Sequence, residues 1–304
     1  MRLTGSAVIA CMALAVSSAV ADAAKLKPET VRAFDRYVHL TEARMQAEID
    51  GRTGFLWLDR LSDADREEVL KRLRSGEIVI EPLETRDGGD EVDIPSGMVH
   101  HWIGTVLIPG VTLDRSIAMM QDYERYPEIY APDVQIAAVR ARQDNRFKVY
   151  LRLYTKKVLT WVADTEHRVE YIPVDDTRMH VPSRSTRILE VEHPDTPRER
   201  TKPEGKDRGL AWRLNNYCSF EERDEGTFMQ CEAISLTWGI PSLFEAVLRP
   251  FVTGVPREKL TLTLEASRRW LTSGRDAARF DREDSARPHH SGAELSRPIR
   301  SRGR

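Results

Sequence analysis

From residue 134 to 238 the chain alternates apolar and polar residues in six successive runs, near 134–142, 145–155, 159–172, 177–189, 209–222 and 226–238. A period of two marks strands with one buried face. The connections at Gln143-Asp144, Lys156-Lys157, Asp175-Asp176 and Asp224-Glu225 are short and polar. Links that short join only antiparallel neighbours, because a parallel pair needs a crossover of about a dozen residues or more. The remaining connection, Glu190 to Asp207, is rich in proline and charge. Inside a compact domain a loop of that length is usually functional or mobile, which makes it a candidate lid.

Ahead of the meander the period is helical. Pro28, at a first helical position, opens a segment to about Glu48 with Val31, Phe34, Val38 and Met45 on one face. The apolar patch Phe55-Leu56-Trp57-Leu58 follows, and Ser62-Asp63-Ala64-Asp65 resembles a capping box that starts a short helix ending near Gly76. Residues 25–76 thus form a small helical pre-domain, which packs on the rest because two short helices bury little alone. Residues 77–97 supply a linking strand, Glu77 to Leu83, and a turn at Asp87-Gly88-Gly89-Asp90. Met98 to Ile108 reads as a longer strand, Asp114 to Gln121 as a short helix, and Asp122 to Tyr130 as a second one interrupted at Pro127. After the meander a helical run at Ser242 to Leu248 meets a break across Pro250, Gly254 and Pro256. Arg257 to Leu271 then continues with Leu260, Leu264 and Leu271 on one side.

Charge narrows the class of partner. The 304 residues carry 46 basic and 48 acidic side chains, a net charge of −2, which provides no field for gathering nucleic acid. Residues 1–24 read as a signal peptide: Arg2 gives a basic start, Ala7 to Val20 an apolar stretch, and Ala21-Asp22-Ala23 a cleavage site near Ala23. The apolar stretch falls short of the roughly 20 residues that span a bilayer. A periplasmic or secreted product is expected. Val8-Ile9-Ala10-Cys11 looks like a lipoprotein processing box, but the apolar run before Cys11 is very short. Residues 273–304 hold almost nothing to bury and are expected to be a disordered tail.

A strand, two short helices, a six-strand meander and a C-terminal helix is a specific order. Val106-Leu107-Ile108-Pro109, the stretch Asp122-Tyr123-Glu124-Arg125-Tyr126-Pro127 and the terminal Pro241 to Leu271 together resemble the START-like and polyketide-cyclase-like helix-grip superfamily, which has a coenzyme Q-binding-like branch. The resemblance covers about residues 98–272. It implies an α+β fold, with a curved antiparallel sheet of about seven strands around a long C-terminal helix, here carrying a small N-terminal helical extension. It also implies a cavity between sheet and helix, with its mouth where the Lys156 to Val158 turn, the Glu190 to Asp207 loop and the Gly239-Ile240-Pro241 junction cluster.

Strand parity selects the inward side chains. Trp161, His167 and Tyr171 lie on the less charged face of 159–172, opposite Asp164, Glu166, Arg168 and Glu170. Trp212, Leu214, Asn216, Cys218 and Phe220 form the inward set of 209–222, facing Met229, Cys231, Ala233 and Ser235 on 226–238. Strand 145–155 reads either way, Phe147, Val149, Leu151 and Leu153 alternating with Lys148, Tyr150, Arg152 and Tyr154, and its aliphatic set is assigned inward. For the aliphatic members ordinary packing is the favoured reading. Trp161, His167, Tyr171 and Asn216 stand out, because an inward polar tip needs a partner. Tyr123, Tyr126 and Tyr130 either frame the cavity entrance or staple the helices to the sheet. A two-residue turn at Asp224-Glu225 sets Cys218 directly opposite Cys231. An oxidising compartment permits a disulfide there, two reduced core thiols being the alternative.

Motifs for metal, cofactor or nucleophilic catalysis do not occur. His100 and His101 are adjacent on a strand and point to opposite faces, and no H-E-x-x-H, paired C-x-x-C, nucleophile elbow or phosphate-cradling glycine loop is present. No metal and no cofactor are expected. Arg178, Arg184 and Arg187 share a strand and suit an anionic headgroup, but Arg184 and Arg187 have opposite parity. The resulting expectation is an exported protein that holds a hydrophobic small molecule, of lipid or quinone class, for transport or sequestration, with peripheral membrane contact within its reach. One alternative is a cyclase- or hydrolase-type enzyme in which His167, Tyr171 and Asn216 supply acid-base and orienting groups. Another is a protein-interaction module whose cavity is filled by its own side chains.

Overall fold

The computed structural model describes residues 26–156, 160–239 and 245–274, the last with side chains from 254 onward. The expected signal peptide with Cys11, the Lys157-Val158 part of one turn, the Ile240-Pro241 junction and the tail beyond 274 lie outside the described residues.

Two helices come first. α1 (Pro28–Ile49) starts at its proline and buries Phe34, Tyr37, Val38 and Met45 along one stripe. In α2 (Asp63–Arg74), the Ser62 hydroxyl accepts from the Asp65 amide at 3.2 Å, the N-cap bond that the sequence predicts, and Val69 and Leu73 are buried. The strands are β1 (Val79–Pro82), β2 (Gly97–Pro109), β3 (Val134–Gln143), β4 (Arg146–Lys156), β5 (Thr160–Glu170), β6 (Arg178–Glu192), β7 (Arg213–Arg223) and β8 (Gly226–Trp238). Between β2 and β3 stand α3 (Leu113–Gln121), a 3-10 turn at Tyr123–Arg125 and α4 (Tyr126–Ile129). Pro127 sits in the first turn of α4 and does not interrupt a helix, since a missing N–H costs nothing there.

The sheet runs in the order β1-β2-β8-β7-β6-β5-β4-β3, antiparallel throughout, with two-residue strands at Ile172–Pro173 and Arg200–Thr201 adding to β6. It exceeds the expected seven strands because the linking segment joins it: Val79 pairs with Thr105, so β1 is a sheet edge and not a connector.

α5 (Glu245–Thr272) crosses the concave face as one continuous helix, without the break expected at Pro250, Gly254 and Pro256. Each proline removes a single intrahelical bond, and burial of Leu260, Leu264, Trp270 and Leu271 holds the C-terminal half against the sheet. The helix seats closely on β2. A Cβ at Gly104 would lie 2.6 Å from Leu264 Cδ1 and 2.5 Å from Ile80 Cδ1, so a larger residue there would have to displace both side chains.

The convex face is covered too. Phe34, Tyr37, Val38 and Met45 of α1 pack on Tyr217, Ile234 and Leu236, while Phe55, Leu56, Leu58, Val69 and Leu73 pack on Val79, Leu107 and Phe228. The helical extension is therefore an outer layer of the same fold. This α+β arrangement, a curved antiparallel sheet gripping a C-terminal helix, is the helix-grip fold that the order of elements predicts.

Candidate functional site

Cross-strand register divides the concave face into two halves. In the closed half, Val106, Phe147, Val149, Val169, Val181, Phe220 and Met229 pack with Leu264 and Trp270 of α5 into one buried cluster. Met229, expected to touch ligand, is a fully buried member of it. The tyrosines lie there as well. Tyr171 Oη donates to the Met120 carbonyl at 2.7 Å, Tyr123 Oη reaches Tyr171 Oη at 2.9 Å, Tyr126 Oη donates to the same Met120 carbonyl at 2.7 Å, and Tyr130 Oη lies 3.0 Å from Ser267 Oγ. Rings of Tyr123 and Tyr126 stand 4.8 Å apart, and those of Phe147 and Tyr171 5.2 Å. Burial pushes all four phenols up, Tyr130 to about 12. Tyr123, Tyr126 and Tyr130 thus staple the helices to the sheet and do not frame an entrance. Tyr171 has its proton committed to Met120, which removes it from the acid-base role.

The other half of the same face is open. Leu151 and Leu153 on β4, Trp161 on β5, Ile188 on β6 and Leu214 on β7 are only half-buried, and Asn216 is exposed. Register places them together: Leu151 faces Thr165, Thr165 faces Ile188, and Asn216 faces Ser183. His167 stands between the two halves, opposite Val149 and Ser185, and is 5% exposed. Burial lowers its pKa to about 4, so the imidazole is neutral at physiological pH. The result is a half-exposed apolar patch with a few polar groups, bounded on one side by a solid core.

Trp212 is on the other face. It precedes β7 and packs with Phe34 and Leu236 under α1, its indole N–H donating to Asp207 at 3.1 Å. Strand parity does not extend to a residue outside the strand. A second parity error lies at Thr186, a β-bulge: Ser185 pairs with His167 and Arg187 with Glu166, leaving Thr186 extra. The bulge brings Ser185 and Ile188 onto the concave face and puts Arg184 and Arg187 together on the convex one, contrary to simple alternation. Arg184 pairs with Glu42 and Arg178 with Asp175 on that side.

The long loop is tethered. Buried Glu190 receives Lys202 Nζ at 3.1 Å and Arg208 Nε at 2.6 Å, Arg208 Nη2 donates to the Thr160 carbonyl at 3.0 Å, and the Trp238 amide donates to the Gly209 carbonyl at 2.7 Å. Loop, β5 start and β8 end therefore meet at one end of the sheet, beside the open half of the concave face. The loop is a strap, not a free lid.

Cys218 and Cys231 pair in register and are joined by a disulfide. On the convex side a chain of polar groups escaped the sequence reading. Tyr37 Oη lies 2.8 Å from His101 Nδ1, His101 Nε2 lies 2.6 Å from Glu232 Oε1, and Arg44 donates to the same carboxylate. Burial pushes the Glu232 carboxyl up, but the His101 hydrogen bond and the Arg44 charge outweigh it and hold it below the usual range. A cavity of about 320 Å³, lined by Tyr37, Thr85, Asp93, Ile94 and His101 among others, opens beside this chain. His100 points the other way, to Thr237 Oγ1 at 3.0 Å. Among the described residues no group of three or more histidine, cysteine or acidic side chains is placed to hold a metal ion, and no helix is long and apolar enough to cross a membrane.

No protein-family model matches the chain, and no curated protein does. Solved structures do match. Human STARD10 is 12% identical over 75% of this chain and 89% of its own, with a TM-score of 0.40. A STAR-related lipid transfer protein from Xanthomonas axonopodis is 17% identical over 60% and 98%, with a TM-score of 0.36. The Zhui aromatase/cyclase from a Streptomyces species is 14% identical over 58% and 99%, with a TM-score of 0.37.

Proposed function

We propose that this chain is an exported carrier that holds a hydrophobic small molecule in the open half of its concave face. The observation behind this reading is the gradient of burial along one sheet face. Met229 and Phe220 are wholly buried, while Leu151, Leu153, Trp161 and Leu214, on the same face, remain half-exposed. Apolar groups left in a concave setting gain roughly 25 cal/mol per Å² when a ligand covers them. The leader-like residues 1–24 and the disulfide favour an oxidising, extracytoplasmic location.

Native mass spectrometry tests this. The protein purified from the extracytoplasmic fraction should carry a mass that organic extraction removes, and the extracted protein should take up one equivalent of a long-chain lipid. Uptake should be lost when Leu153→Trp occludes the patch. An extracted protein that takes up no apolar molecule would overturn the reading.

A further inference from the structure

We infer that the patch selects a ligand bearing an uncharged hydrogen-bond donor, an alcohol or phenol, which it delivers to Nδ1 of His167. The inference rests on the carrier reading above and names the chemistry of its cargo.

Proton accounting carries the argument. Thr165 Oγ1 has one proton and donates it to the Leu151 carbonyl at 3.1 Å. The same oxygen lies 3.0 Å from His167 Nε2, so in that contact it can only accept, and the ring proton resides on Nε2. In a neutral imidazole the other nitrogen is then a bare lone pair. That nitrogen, Nδ1, is buried and has no hydrogen-bond partner. The opposite tautomer would cost the Thr165 to Leu151 bond and bury an unpaired N–H instead.

Neighbouring groups do not relieve this acceptor. Val149 faces His167 on one side and Ser185 on the other, and Ser185, whose Oγ accepts from the Leu214 amide at 2.9 Å, makes no hydrogen bond to Nδ1. A buried acceptor left unpaired is a standing cost that a ligand donor removes. A carboxylate or phosphate brings only lone pairs, and two cations at this end of the sheet, Lys202 and Arg208, are already bound to Glu190. A hydrocarbon or ether satisfies nothing. Nδ1 is buried, so side chains of the patch must move for a ligand donor to reach it.

Binding of 1-hexadecanol, its methyl ether and palmitate to the extracted full-length protein separates these cases. The alcohol should bind about tenfold more tightly than the ether, the worth of one net hydrogen bond, and more tightly than palmitate. His167→Phe should abolish the preference while ether binding persists. His167→Asn, whose amide oxygen takes the place of Nδ1, should retain part of it. Equal affinities, a preference for palmitate, or a preference that survives His167→Phe would overturn the inference and leave the carrier reading standing. Failure of all three probes to bind would overturn both.

Discussion

His101 on β2 and Glu232 on β8 share a 2.6 Å hydrogen bond beneath α1, and Arg44 of that helix closes onto the same carboxylate. Glu232 is 2% exposed, and among the described residues its carboxylate is held by these two partners. Removing one member of a buried pair strands the others, which costs far more than the pair itself contributes. Glu232→Ala should therefore lower unfolding stability by about 3–5 kcal/mol, measured by urea denaturation. Glu225→Ala, which breaks a solvent-exposed pair with Arg74, should change it by less than about 1 kcal/mol. Similar losses from both would show that the buried network does not anchor α1.

Acid should loosen the fold through histidines. Burial lowers His100, His167 and His180 from 6.5 to about 4, with Arg184 adding to the effect on His180. Between those values the unfolded chain binds protons that the folded chain refuses, so stability is full above pH 6.5 and falls as pH drops toward 4. Each histidine contributes a slope of up to about 1.4 kcal/mol per pH unit. Urea midpoints measured from pH 7.5 to 4.5 check this. A flat profile would contradict it, and His180→Gln should reduce the slope.

The disulfide between Cys218 and Cys231 closes a loop with a sequence separation of 13. Constraint of the unfolded chain by a loop of that size is worth about 3 kcal/mol. Under reducing conditions the thermal midpoint should drop, and the denatured, unreduced protein without its leader should show no free thiol. Two titratable thiols would contradict the pairing.

Tyr171 and Tyr123 belong to packing. Tyr171→Phe frees the Met120 carbonyl of one donor and leaves Tyr123 without its acceptor, so stability should fall by about 1–2 kcal/mol. Affinity for an apolar probe should stay unchanged, because the hydroxyl lies in the closed half. A large loss of affinity at unchanged stability would return Tyr171 to the binding site.

Local signals in the chain made the scaffold legible. The polar pair Asp224-Glu225 alone determines that Cys218 faces Cys231, because a two-residue turn leaves no freedom of register. Alternation likewise located β3 to β8, and Ser62 the start of α2. The misread positions lack such signals. Thr186 is an ordinary threonine in an alternating run, and nothing in its composition announces that the strand gains a residue there. Trp212 stands one residue before β7, where parity has no force. The partners of His101 are 64 and 131 residues away, a separation at which buried charge leaves no periodic trace. His167 was singled out for its inward polar tip, but the unpaired nitrogen emerges only when Thr165 and Leu151 are seen in register.

Methyl NMR gives the most direct test of the patch. With leucine and isoleucine methyls labelled, titration of 1-hexadecanol should shift Leu151, Leu153, Ile188 and Leu214 and leave Leu73, Leu107 and Ile234 on the convex side unmoved. Shifts confined to the convex set, or none at all, would contradict a ligand site on the concave face.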